Sequence, residues 1–157
     1  MKQVVFPGSF DPFTVGHEAL VNRALLLFDK LTIAVGYNVA KSGFFSLEAR
    51  MAMIQKTFAN NPNVEVDSYQ GLTIDYCKKK GVSFLVRGLR TSADFEFERT
   101  VGQVNKAMNN EVETIFMLTA PEHSFISSTV IRDILAHKGD ASAFVPSAIS
   151  CLSDYME

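Results

Sequence analysis

The sequence predicts an α/β fold, a doubly wound five-stranded parallel sheet with helices on both faces. Short apolar runs rich in β-branched residues alternate five times with segments of helical spacing along the 157 residues. That alternation marks a parallel sheet whose strands are joined by crossover helices. The strand runs carry little polar alternation, as expected of strands covered on both sides. No repeat, linker or low-complexity tract interrupts the chain, so 1–157 reads as one domain.

The first run, "KQVVF" (2–6), is expected to stop at Pro7. Leu20, Ala24, Leu27 and Phe28 then recur at helical spacing, from Gly16 to about Asp29. "LTIAVGY" (31–37) reads as a buried strand. "SLEARMAMIQKTFA" (46–59) reads as a helix capped by Ser46. "NVEVDS" (63–68) is a strand after an "NNPN" turn, and residues 72–80 are helical up to a capping Gly81. "VSFLV" (82–86) is the fourth strand. A helix over 94–108 comes next, with Phe97, Val101, Val104 and Met108 on one face. "ETIFML" (113–118) is the fifth strand, and residues 127–137 form a helix closed by Lys138 and Gly139. A last helix is expected after Pro146, a residue suited to a first turn.

With 47% hydrophobic and 20% charged residues, the chain can bury a core without disulfides or metals. A net charge of −2 argues against a general nucleic-acid binder. Cys77 and Cys151 form no CxxC or His/Cys cluster, so both read as buried or half-buried thiols. "MKQVVFPG" is too short and broken for a signal peptide, and no apolar run approaches a membrane span. A soluble, cytoplasmic protein is the expectation.

The chemistry gathers in the segments at the strand ends: "PGSFDPFTVGH", "NVAKSGFF", "RGLRTSADFEFE" and "TAPEHSFISST". Ligands of doubly wound sheets sit beyond the carboxyl ends of the strands. There these loops bring Ser9, His17, Lys41, Arg87, Arg90, Ser127, Ser128 and Thr129. Helix starts offer unpaired N–H groups and a positive dipole end. Arginine and lysine add charge-assisted bonds to phosphate oxygens. Together they predict a local polyphosphate site in an acidic chain. It uses neither GxGxxG nor GxxxxGK[ST], since both are absent. Gly16 would let a phosphate approach the backbone, and Thr14 and His17, three apart, can face the same side.

The same residues have plainer uses. Arg87 and Arg90 can pair with Asp94 or Glu98, and Ser127 and Ser128 can cap a helix while also binding phosphate. Glu96 and Glu98, two apart on a helix, point to different sides and make no catalytic dyad. "KKK" (78–80) reads as a solvated helix end, and His137 as a dipole partner at a helix C-terminus.

"TVGH" (14–17) and "ISSTVIR" (126–132) resemble the TxGH and ISSTxxR signatures of nucleotidylyltransferases, relatives of the class I aminoacyl-tRNA synthetases. "FPGSFDPFTVGH" (6–17), "RGLRTSADFEFE" (87–98) and "SFISST" (124–129) resemble segments of the bacterial phosphopantetheine adenylyltransferases, from the first strand to the last helix. The resemblance implies the Rossmann-like nucleotidylyltransferase fold. It implies reversible transfer of AMP from ATP to 4′-phosphopantetheine, giving dephospho-coenzyme A and pyrophosphate in coenzyme A biosynthesis. It also implies Mg²⁺ with the ATP, a homohexamer, and coenzyme A as a feedback inhibitor. Neither nucleic acid nor membrane is an expected partner.

The nucleophile would be the substrate's own phosphate, already largely anionic near neutral pH. Positioning and electrostatics then replace acid–base work. By the resemblance, His17 contacts the α-phosphate, Lys41 bridges the incoming phosphate and ATP, and Arg90 holds the β- and γ-phosphates. The ATP site would further take Ser9, Phe10, Gly88, Leu89, Glu98, His123, Ser124, Phe125, Ile126, Ser127, Ser128 and Thr129. The pantetheine side would take Ser9, Lys41, Leu72, Thr73 and Arg87, and no side chain is expected to ligate a metal. The chain departs from the family pattern at Ser9 (commonly Thr), at His123 (commonly Trp or Tyr) and in the Ser-Gly after Lys41 (commonly Lys and Pro). Two other functions stay open. One is a nucleotidylyltransferase for nicotinamide mononucleotide or a phospho-alcohol, against which the 87–98 segment speaks. The other is a nucleotide-binding module without turnover.

Overall fold

The computed structural model describes residues 1–156. Its central strand, β1 (Gln3–Gly8), buries Val4 and Phe6 in one hydrophobic cluster and Val5 in another, so side chains on both faces are covered. β2 (Lys30–Gly36) pairs along all of β1, from Gln3↔Lys30 to Gly8↔Val35. β4 (Phe84–Leu89) pairs with it on the other side at Val5↔Leu85. β3 (Val64–Tyr69) and β5 (Glu113–Leu118) complete the order β3-β2-β1-β4-β5, every pair parallel. The direction of strand addition reverses between β1 and β4, and that switch point opens a crevice at their carboxyl ends.

The crossovers are α1 (Val15–Ala24), α2 (Leu47–Thr57), α3 (Thr73–Lys80) and α4 (Ser92–Met108); α5 (Ser128–Ala136) comes after β5. The Ser46 and Ser127 side chains accept the backbone N–H groups of Ala49 and Val130 and so start α2 and α5. Gly81 ends α3 in the left-handed conformation, φ 67°. A third apolar cluster seats Phe45 and Met53 against Ile131, Ile149 and Leu152, fixing α5 beside α2. No described helix is long and apolar enough to cross a membrane.

The structure corrects several sequence expectations. β1 does not stop at Pro7 but runs on to Gly8, because β2 continues beside it and the Pro7 carbonyl accepts the Arg87 guanidinium. The fourth strand is 84–89 rather than 82–86. Val82 is spent closing α3 through its N–H to the Cys77 carbonyl, and β5 pairs up to Leu89↔Leu118. Arg87, Gly88 and Leu89 therefore stand on a strand and not in a loop. The helix expected after Pro146 is two short 3₁₀ turns, Ser147–Ile149 and Leu152–Tyr155, with Pro146 before the first. So short a segment gains little from helical propagation, and burial of Ile149 and Leu152 directs it instead. α4 carries the expected apolar residues but buries none, leaving Phe97, Val104 and Met108 exposed. Cys77 is buried, its thiol pushed up to about 11 by burial, whereas Cys151 is exposed. Lys80 is not merely solvated, for it reaches Asp67 at 2.7 Å on the β3 edge.

Candidate active site

Residues 9–14 carry the chain from β1 into α1, and Thr14 caps the helix. The cap is reciprocal. Thr14 Oγ1 accepts the His17 N–H at 3.2 Å, and His17 Nδ1 accepts the Thr14 N–H at 3.0 Å. An Nδ1 that accepts carries no proton, so the neutral ring holds its proton on Nε2. That nitrogen has no hydrogen-bond partner among the described residues, and His17 lines the cleft. Its ring lies among Phe6, Phe10 and Phe13, with centroids 5.9, 5.1 and 5.3 Å away. Burial by those rings, then the charges of Arg90 and Arg87, push its pKa from 6.5 down to about 3. The residue is only partly buried and lines the cleft. The direction fixes the species as neutral near pH 7, a donor through Nε2–H.

The cleft has a volume of about 340 Å³ and lies over the β1/β4 switch point. Gly8 and Ser9 supply its floor, Arg87, Gly88 and Arg90 one wall, and residues 126–129 at the start of α5 another. Arg87 makes a bidentate pair with Glu98, at 2.9 and 2.6 Å, and donates to the Pro7 carbonyl at 2.8 Å. Arg90 pairs with Asp94 at 3.4 Å and donates to the Ile126 carbonyl at 3.3 Å. Each arginine is thus oriented by one of the two acids the sequence offered. Arg132 donates to the Asp11 carbonyl, and Ser128 Oγ to the Pro12 carbonyl, both at 2.8 Å, tying α5 to the α1 elbow.

A second cleft of about 370 Å³ adjoins, lined by Asp11, Tyr37, Asn38, Lys41, Arg50 and Tyr69 among others. Ser9 lines both, so the two meet at the end of β1.

The structure gathers most, though not all, of the residues singled out from sequence. Ser9, Phe10, His17, Gly88, Arg90, Glu98, His123, Ile126, Ser127, Ser128 and Thr129 line the first cleft, with Arg87. Lys41 lies in the second. Leu89, Ser124 and Phe125 line neither: Leu89 is buried, Ser124 Oγ turns to the Pro121 carbonyl, and Phe125 is exposed. Leu72 is exposed and outside both linings, and Thr73 touches the second only through the Tyr69 hydroxyl at 2.7 Å. His123 packs near Gly16, and its Nδ1 is buried without a described partner. Sequence reasoning missed Asp11, Arg50 and Thr119. Asp11 and Arg50 act on backbone groups 33 to 41 residues away, a distance no motif displays.

Residues 5–134 match the cytidylyltransferase-like family model. Over 149 residues the chain is 50% identical to the phosphopantetheine adenylyltransferase of Flavobacterium psychrophilum, covering 95% of this chain and 98% of that one. This chain belongs to the phosphopantetheine adenylyltransferase family. The Flavobacterium johnsoniae relative of the same name is 48% identical over 149 residues, 95% of this chain and 97% of that one. Among solved structures, a bifunctional NMN adenylyltransferase/ADP ribose pyrophosphatase from Francisella tularensis, complexed with AMP and a Mn ion, superposes with a TM-score of 0.68. That match covers 92% of this chain and 44% of the solved one at 17% identity, so this chain spans less than half its length and shares its fold.

Proposed function

We propose that this chain, acting as one domain over 1–157, transfers AMP from ATP to 4′-phosphopantetheine, releasing pyrophosphate and dephospho-coenzyme A in coenzyme A biosynthesis. The observation that carries the reading is His17, whose Nδ1 is occupied by the Thr14 N–H and whose Nε2–H is left to donate into a cleft walled by Arg90 and the start of α5. A neutral donor stabilises charge at the α-phosphorus without taking a proton from anything. The acceptor phosphate needs no base. What remains is to hold two anions in line, which is positioning.

In this reading ATP occupies the first cleft. His17 contacts the α-phosphate, Arg90 and residues 127–129 hold the β- and γ-phosphates, and Gly88, Glu98, His123 and Ile126 surround the adenosine. The pantetheine arm occupies the second cleft, with Lys41 meeting the incoming phosphate, Ser9 at the junction of the two clefts and Arg87 across it in the first. Among the described residues no three His, Cys, Asp or Glu side chains gather as a metal site. Mg²⁺ enters as part of Mg-ATP, held by phosphates and water. A homohexamer is part of the proposal, supported by the exposed apolar residues of α4. So are coenzyme A as a competing, product-like ligand and a cytoplasmic location.

Pyrophosphate release from Mg-ATP, measured with 4′-phosphopantetheine or with nicotinamide mononucleotide, tests the acceptor. Release with 4′-phosphopantetheine alone is expected. Release with nicotinamide mononucleotide would overturn the acceptor, and ATP binding without release from either would overturn turnover.

A further inference from the structure

Lys41 sits in a loop that has little to hold it. Residues 38–44 are exposed, and their only internal order is a turn in which Lys41 N–H reaches the Asn38 carbonyl at 3.0 Å and Ala40 N–H the Asn38 side chain at 2.9 Å. Phe45 alone is buried, in the cluster with Met53 and Ile131. What directs the backbone between the turn and that anchor is one carboxylate. Asp11, 8% exposed, accepts the Phe44 N–H on Oδ2 and the Phe45 N–H on Oδ1, both at 2.8 Å. No described cation lies within salt-bridge distance of it, so its oxygens are committed to this backbone. Gly43 completes the fit, since a Cβ there would stand 2.9 Å from Asp11 Oδ2 and 2.9 Å from the Phe45 carbonyl. Behind Asp11, its own carbonyl is held by Arg132 of α5.

We propose that Asp11 is a positioning residue: it latches the loop 41–45 so that the Lys41 ammonium is presented to the phosphates where the two clefts meet. Both carboxylate oxygens are taken by the loop N–H groups, so it acts through Lys41. Through Arg132 and Ser128 the latch is continuous with the start of α5, so the lysine and the α5 helix start share one frame. A displacement of about 1 Å in such a group costs up to roughly a hundredfold in rate. The inference rests on the AMP-transfer reading for its kinetic consequence, while the latch itself is testable without turnover.

Asp11→Asn keeps the shape but sets an NH₂ donor against one of two N–H donors. Trypsin cleavage after Lys41 in the folded protein is expected to quicken about fivefold or more, a loss of local protection. The kcat for pyrophosphate release should fall about tenfold or more, with KM for ATP within about twofold. In a Lys41→Ala background the same substitution should change kcat by less than about twofold, because the residue it acts through is gone. Equal losses in both backgrounds, or unchanged cleavage after Lys41, would overturn the proposal. Gly43→Ala, which crowds the latch from the loop side, is expected to show the same pattern and serves if Asp11→Asn does not fold. Absence of pyrophosphate release in the unsubstituted protein would defeat the functional reading, and the cleavage comparison would still decide the latch.

Discussion

His17 is packed by three phenylalanines of its own motif, and that packing decides its charge. The sequence showed the histidine at a helix start and the threonine three before it. It did not show the tautomer, which depends on whether Nδ1 or Nε2 faces the cap. The lowered pKa also makes stability depend on pH. The folded ring binds its proton less readily than the unfolded one, so this stabilisation is whole above about pH 6.5 and is lost as pH falls toward about 3. Urea unfolding of the protein and of His17→Asn at pH 7 and pH 4 is expected to show a smaller acid loss in the variant. Equal acid losses would mean the ring is protonated in the fold. At the same scale Arg87 and Arg90 were legible as ion-pair candidates, but the choice of Glu98 for one and Asp94 for the other was set by β4 reaching Leu89.

The elements were legible wherever local chemistry and periodicity agreed. Ser46, Gly81 and Ser127 mark their helix ends in both the sequence and the structure. Boundaries shifted where long-range pairing outweighed them, as β5 did in drawing β4 forward from 86 to 89. The α1 cap shows how an element serves the site, for the same two bonds start the helix and aim the His17 ring at the cleft. Thr14→Ala removes one of the two and leaves the Thr14 N–H to hold Nδ1. Thr14→Ala should destabilise the fold by about 1 kcal/mol in chemical denaturation. Its kcat is expected to fall far less than that of His17→Ala; a loss as large as the histidine's would mean that Oγ1 itself contacts substrate.

For the whole molecule, parallel order and a cleft at the strand ends were legible from the alternation of elements. What was not legible was that α4 would bury nothing. Phe97, Val104 and Met108 recur at a spacing that suits a core, and only the tertiary fold turns that face outward. An exposed apolar stripe of this kind suits contact between copies. Val104→Asp should leave the circular dichroism spectrum unchanged and shift light scattering from the proposed hexamer to smaller species. A hexamer that persists would move the interface elsewhere. The proposed chemistry, however, turns on the cleft at the switch point, where a neutral histidine supplies transition-state stabilisation and no proton. The decisive quantity is kcat for pyrophosphate release from Mg-ATP and 4′-phosphopantetheine, at saturation, for the protein and for His17→Ala. A fall of about a hundredfold or more is expected, with ATP still bound; a kcat within about twofold of the original would remove His17 from the chemistry.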